Sequence, residues 1–92
     1  MGTKNNPGDF DCYANARPDE PMFILLARDV LAPERVREWA YRLKELIDTG
    51  RKPESDRAKI TEALECANAM QDWRREHYGE WRQPPAGADD AQ

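Results

Sequence analysis

The sequence has few of the residues from which catalytic and metal sites are usually built. It contains one histidine, His77, and two distant cysteines, Cys12 and Cys66, so it shows neither a paired zinc-ligand spacing nor a disulfide framework. Its five glycines are scattered, without a phosphate-cradling loop or a nucleophile elbow. The adjacent carboxylates Asp19 and Glu20 precede a proline, where charge at a helix start is their expected role. We therefore expect no enzyme activity, no catalytic residue, no cofactor and no metal.

Long hydrophobic runs are also absent. The longest, residues 22–27, has six residues, whereas a membrane-spanning helix needs about 18 or more. The N-terminus has no basic stretch followed by an apolar run, as a secretory signal would. These absences predict a cytoplasmic protein with reduced thiols and no membrane partner.

A surplus of positive charge is missing as well. Fourteen basic and 18 acidic residues give a net charge of −4, which disfavours binding to an extended nucleic-acid backbone. Ten of the basic residues are arginine, the planar side chain that binds phosphate and carboxylate bidentately. The high share of arginine is therefore compatible with binding of a small anionic ligand. The enrichment of arginine at protein interfaces explains it equally well.

The chain is short for an independent fold. Residues 1–10 and 83–92 lack apolar periodicity and are expected to be a disordered arm and a disordered tail. The remaining residues, 11–82, are expected to form one helical domain, whose single core would supply only about 3–5 kcal/mol. Without disulfides or a metal, association with further copies is the stabilising device left, so we expect a homo-oligomer.

The clearest predicted element is a helix over residues 33–49. Pro33 suits a first helical turn, Gly50 is a ready left-handed terminator, and Pro53 prevents resumption. Apolar residues follow at spacings of three and four, as on one face of an amphipathic helix: Val36, Trp39, Ala40, Leu43, Leu46 and Ile47.

A second helix is predicted over residues 55–78. Ser55 is a candidate N-cap, and Gly79 follows a basic last turn. Its apolar face contains several small residues, which allow close approach of a neighbouring helix: Ile60, Ala63, Leu64, Ala67, Met70 and Trp73 or Arg74. The short connection predicts an antiparallel helical hairpin. The expected fold class is all-α, with a short N-terminal segment before the hairpin.

That N-terminal segment, residues 22–29, is ambiguous. Pro21 after two acids is a normal helix start, and Leu25 to Arg28 is good helical material. A six-residue apolar run can also be a buried strand, and periodicity does not separate the two at this length. The chain offers no second strand-like run, so helix is preferred. The strand alternative requires a second subunit to supply the pairing strand.

The same region carries a resemblance. Asp19-Glu20-Pro21 with Phe23, Leu25, Ala27 and Asp29, followed by Ala32-Pro33, Val36 and Trp39-Ala40, resembles small uncharacterised accessory proteins of tailed phages and prophages with the pattern D-E-P-x-F-x-L-x-A-x-D and A-P-x-x-V-x-x-W-A. The resemblance covers residues 11–41 and part of 63–74 and carries no assigned chemistry. It implies a phage-encoded protein in a host cytoplasm, of a class rich in small oligomers that bind a host protein or capture a host signalling molecule.

Aromatic and arginine residues are the most suggestive side chains. They can stack on a base or clamp a phosphate, and they are equally favoured at protein–protein hot spots. The candidate binding residues are Tyr13, Arg28, Trp39, Arg42, Trp73 and Arg74. Together with the resemblance, which implies a host partner, these residues favour a non-enzymatic protein that binds and inhibits or modulates a host protein. The alternative is an oligomer that sequesters a nucleotide-type signalling molecule between subunits.

Overall fold

The computed structural model describes residues 1–77, and in this part of the chain it contains helices and no strand. The elements are α1 (Cys12–Asn15), α2 (Ala32–Asp48), a 3-10 turn (Glu54–Asp56) and α3 (Arg57–Glu76). The predicted all-α class is confirmed. None of the described helices is long and apolar enough to cross a bilayer.

Helix α2 begins where Asp29 supplies acceptors to its first turn. The Asp29 carboxylate accepts a hydrogen bond from the Leu31 amide (3.0 Å), and its carbonyl oxygen accepts one from the Ala32 amide (3.0 Å). Asp29 is buried, so the bond from the Leu31 amide replaces water that the carboxylate would otherwise bind. Pro33 lies in the first turn, where a missing N–H costs nothing. The observed start is one residue before the predicted one.

Helix α2 ends in a Schellman motif centred on Gly50. The Gly50 amide bonds to the Ile47 carbonyl (3.0 Å) and the Arg51 amide to the Leu46 carbonyl (2.8 Å). Gly50 has a φ of +78°, a left-handed conformation that glycine adopts without the steric penalty of a Cβ. The predicted role of Gly50 as the helix terminator is confirmed.

Helix α3 begins two residues later than predicted. Ser55 lies inside the 3-10 turn, and Asp56 is the N-cap residue without a side-chain capping bond. The prediction that Ser55 caps the helix is therefore wrong, because the tighter turn after Pro53 moves the helix start along the chain. The predicted terminator, Gly79, lies outside the described residues.

Helices α2 and α3 pack along their lengths. Arg37, near the start of α2, donates to Asn68 and Gln71 near the end of α3 (both 2.7 Å). At the other end Arg57 donates to Asp48 (2.9 Å). Hydrogen bonds from Lys44 and Arg57 lower the pKa of the exposed Asp48 carboxyl. Opposite ends of the two helices are thus adjacent.

The core between these helices is thin and rich in alanine. Its buried apolar members are Ala32, Ala40, Leu43, Ile47, Ile60, Ala63 and Ala67. Among the described residues no large side chain is fully buried. Trp39, placed on the buried face by the apolar pattern, is 49% exposed. It flanks the core instead of filling it, and the fully buried core positions are taken by alanines.

The prediction of a helix over residues 22–29 is wrong. The described residues between α1 and α2 contain turns but no helix, and residues 21–26 have no regular secondary structure. Pro18 and Pro21 lie just before the run, and a helix this short cannot offset its nucleation cost without packing. The strand alternative is not observed in the single chain either.

The first ten residues are tied to α3 through Glu62. Its carboxylate accepts hydrogen bonds from the amides of Asp9 (2.9 Å) and Phe10 (3.2 Å), and it lies 3.1 Å from the Met1 ammonium. Burial alone would raise the pKa of Glu62, but the Met1 ammonium and the two amides outweigh it, so the pKa is lowered. Met1 also packs against the core, and the Lys59 ammonium lies over the Phe10 ring, 5.7 Å from its centroid. The disorder expected for residues 1–10 remains a prediction.

Candidate functional site

The six candidate binding residues do not converge on one place. Tyr13 lies in α1 with 74% of its surface exposed. Arg28 and Arg74 meet beside the start of α2. Trp39 and Arg42 share a pocket at the other end of the α2–α3 pair, so the structure divides the candidates into separate surfaces.

Arg28 and Arg74 meet through the backbone of one and the side chain of the other. The Arg74 guanidinium donates a hydrogen bond to the Arg28 carbonyl oxygen (2.5 Å). This bond joins the last turns of α3 to the segment that enters α2. Arg74 is half-buried there, so part of its donor capacity is used for the fold and only the remainder can serve a ligand.

A groove of about 590 Å³ lies between α2 and α3 next to Arg74. Its lining is Val30, Pro33, Glu34, Arg37, Glu38, Tyr41, Gln71 and Arg74. The two arginines and two glutamates balance, so the groove has no net charge to attract a polyanion. The exposed ring of Tyr41, with Val30 and Pro33, gives it an apolar part. Arginine and tyrosine with a mixed-charge rim are typical of protein interfaces.

A second, smaller pocket of about 140 Å³ is lined mainly by cations and apolar side chains. Its residues are Trp39, Arg42, Leu43, Leu46, Lys52, Asp56 and Lys59. Asp56 lies 3.3 Å from the Lys59 ammonium and 3.9 Å from that of Lys52. Arg42 forms an exposed ion pair with Glu45. We call this the Trp39 pocket.

Trp73 stacks on His77 near the end of α3. Their ring centroids lie 4.1 Å apart with an angle of 17° between the planes, a stacked geometry of the kind aromatic pairs favour. His77 Nδ1 is also 2.8 Å from the Trp73 carbonyl oxygen. The half-buried Trp73 ring therefore already has a stacking partner within the chain on one side.

In the described part of the chain, a run of exposed apolar side chains lies where the sequence predicted a helix. Phe23 is 88% exposed, Ile24 62% and Leu31 52%. The exposed members are Met22, Phe23, Ile24, Leu26, Val30 and Leu31, which we call the apolar segment. Val30 belongs both to this segment and to the 590 Å³ groove, so the two surfaces adjoin.

Sequence reasoning missed Lys52, Lys59 and Arg37 as site residues. Lys52 lies in the connection after α2, and Lys59 lies in the first turn of α3. Neither belongs to an aromatic or arginine cluster along the chain, so no local pattern marks them. The break at Gly50 and Pro53 was the available signal, since it places the end of α2 beside the start of α3.

Within residues 1–77 no group of three histidine, cysteine, aspartate or glutamate side chains is placed to hold a metal ion. In that range both cysteines are free thiols, Cys12 exposed and Cys66 half-buried. Comparisons with protein-family models, with curated proteins and with solved structures found no match.

Proposed function

We propose that this chain is a non-enzymatic binding protein whose apolar segment and adjoining groove form a protein-docking face. One observation carries the proposal: six large apolar side chains within ten residues are about half exposed or more. Monomeric proteins rarely expose so many apolar side chains in one segment to solvent, and exposed apolar surface of this kind marks an interaction site. Helices α2 and α3, which pack along their lengths, line the groove that belongs to this face.

The partner is proposed to be a host protein that is inhibited or modulated, with self-association through the same face as a second use. The phage-accessory resemblance supports the first. The thin alanine core supports the second, because a small domain with little buried area gains stability by burying apolar surface against another chain. Segments that order on binding often serve both purposes.

The test compares wild-type protein with Phe23→Asp and with Thr61→Asp, a matched control at an exposed position of α3. Sedimentation at micromolar concentration should show a dimer or larger for wild type and the control, and a monomer for Phe23→Asp. Immobilised wild type and Thr61→Asp should retain a host-cell protein, and immobilised Phe23→Asp should not. Because Phe23 is 88% exposed, Phe23→Asp and wild type should have the same melting temperature at concentrations low enough for both proteins to be monomeric. If assembly and capture are both insensitive to Phe23→Asp, the proposed face is wrong.

A second candidate function is sequestration of a nucleotide-type signalling molecule by an oligomer. The observation that favours it is the Trp39 pocket, in which an indole lies next to three basic side chains. Aromatic rings and cations together are the usual elements of nucleotide binding. Titration calorimetry of the assembled protein against linear and cyclic nucleotides tests it: no heat with any of them removes this function for that panel.

A further inference from the structure

We infer that the Trp39 pocket of a single chain is a binding site for a phosphate monoester carrying a planar aromatic group, of which a nucleoside monophosphate is the smallest common form. The inference takes its ligand class from the second candidate function and does not depend on the protein-docking face. It places the site within one chain, whereas the sequence suggested a site between subunits.

The charge of the pocket is opposite to that of the chain. The lining has three basic side chains, Arg42, Lys52 and Lys59, and one carboxylate, Asp56, while the whole chain carries −4. Even with Glu45, the partner of Arg42, the pocket keeps a positive surplus. Such a local concentration of one sign attracts an anion that the rest of the surface repels.

Asp56 holds the two lysines without hiding them. Its side chain is 16% exposed, while those of Lys52 and Lys59 are 50% and 38% exposed. The carboxylate therefore lies beneath the ammonium groups, which keep donors available at the surface. A lysine ammonium has three donors, so an incoming phosphate can bind both lysines while each still contacts Asp56.

Arg42 can turn from its present partner to the ligand. Its pair with Glu45 spans three residues of α2, with both side chains about 60% exposed. An exposed pair of this kind contributes little, so a dianionic phosphate can displace the glutamate. A guanidinium then binds two phosphate oxygens at once.

The size of the pocket determines which part of a ligand it can enclose. A volume of 140 Å³ equals roughly four to five water molecules, enough for a phosphate but not for a nucleotide. The planar group must then lie outside the cavity, where half of Trp39 is exposed. Leu43 and Leu46 form the apolar part of the lining. The same small volume excludes a ligand whose phosphate is esterified to a bulky group on both sides.

The experiment is a two-dimensional NMR titration of the full chain with AMP, and with adenosine and inorganic phosphate as half-ligands. AMP should shift the Trp39 indole N–H and the amides of Lys52 and Lys59. It should bind about tenfold or more tightly than either half-ligand, as stacking and phosphate contacts combine. Failure of AMP to bind at millimolar concentration overturns the inference and leaves the docking face untouched.

Variants then locate the site. Lys52→Gln and Lys59→Gln should each weaken AMP binding several-fold, whereas Lys44→Gln should not, since Lys44 pairs with Asp48 (2.8 Å) and does not line the pocket. Trp39→Leu should weaken it about tenfold and Trp39→Phe less. Equal losses at Lys44 and Lys52 would show non-specific attraction and overturn the site. If a Trp39 variant unfolds, the comparison of Lys52→Gln and Lys59→Gln with Lys44→Gln tests the site without it.

Discussion

The guanidinium of Arg74 donates a hydrogen bond to the backbone carbonyl oxygen of Arg28 across 2.5 Å, joining two residues 46 positions apart. The contact ties the end of α3 to the segment just before the buried Asp29 and the first turn of α2. It therefore fixes one end of the apolar segment to the helical core, while residues 21–26 have no regular structure.

Arg74→Met should loosen this junction. Loss of a hydrogen bond from a charged donor costs about 1–3 kcal/mol, and here the free energy of unfolding should fall by the lower part of that range, since the contact is only part-buried. Hydrogen exchange should quicken at the amides of Asp29 and Ala32. Arg75→Met is the matched control, because Arg75 is exposed and pairs with Asp72. Equal exchange in the two variants would contradict this role.

Acidification should release the N-terminal segment. The lowered pKa of Glu62 means that the folded chain holds the Glu62 proton less tightly than the unfolded chain. The stabilisation is therefore fully present above the unfolded pKa of about 4.3 and is lost as pH falls through the lower folded value. The amide resonances of Asp9 and Phe10 should move together in that range in an NMR pH titration.

Glu62→Gln supplies the matching variant. It removes the charge that holds the Met1 ammonium and keeps an acceptor for only one of the two amides, because Asp9 and Phe10 bond to different oxygens of the carboxylate. The segment should therefore be weakened at neutral pH, and its acid transition should disappear. Glu65→Gln, an exposed change on the same helix, should retain the transition. A transition that persists in Glu62→Gln would assign it to another group.

Two truncations on α2 should differ in cost. Leu43 is 5% exposed in the core, so Leu43→Ala should lower the free energy of unfolding by about 2–5 kcal/mol. Trp39 is half exposed, so Trp39→Ala should cost only about 1–2 kcal/mol despite the larger side chain. Urea denaturation measures both. A cost for Trp39→Ala equal to that of Leu43→Ala would place the indole in the core and weaken its case as a ligand-stacking residue.

Enlarging a buried alanine should also destabilise the fold. Ala63 is fully buried, and Ala63→Leu inserts three carbons where α2 and α3 approach, which should cost about 1–3 kcal/mol. Ala69→Leu on the exposed side of α3 should be nearly neutral. The melting temperatures of the two variants, measured by thermal denaturation, show the difference. Tolerance of Ala63→Leu would mean that the two helices are not held at a fixed separation.

The helices were predictable because their signals are local. Pro33 and Gly50 mark the ends of α2, and the spacing of Leu43 and Ile47 identifies its buried face. The prediction of a helix over residues 22–29 failed because the composition of this run fits a helix, while its secondary structure depends on whether another element packs on it. Local preference cannot decide that in a run of six residues.

The sites were less predictable than the helices. Trp39 and Arg42 stand three residues apart and could be paired from sequence, but Lys52 and Lys59 reach them only through the turn at Gly50. The Arg28–Arg74 contact uses a backbone carbonyl, an acceptor that every residue carries. No side-chain pattern could have identified that partner.

The alanine-rich contact between α2 and α3 has a consequence for the abundance of this protein in a cell. A fold with little buried area lies close to its unfolding threshold, and the unfolded fraction is what proteases remove. A partner that binds only the folded chain adds about 2.7 kcal/mol when present at 100 times its dissociation constant. If the proposed partner binds only the folded chain, bound copies should persist and surplus copies should be degraded, so the steady-state level of the protein should follow the amount of that partner.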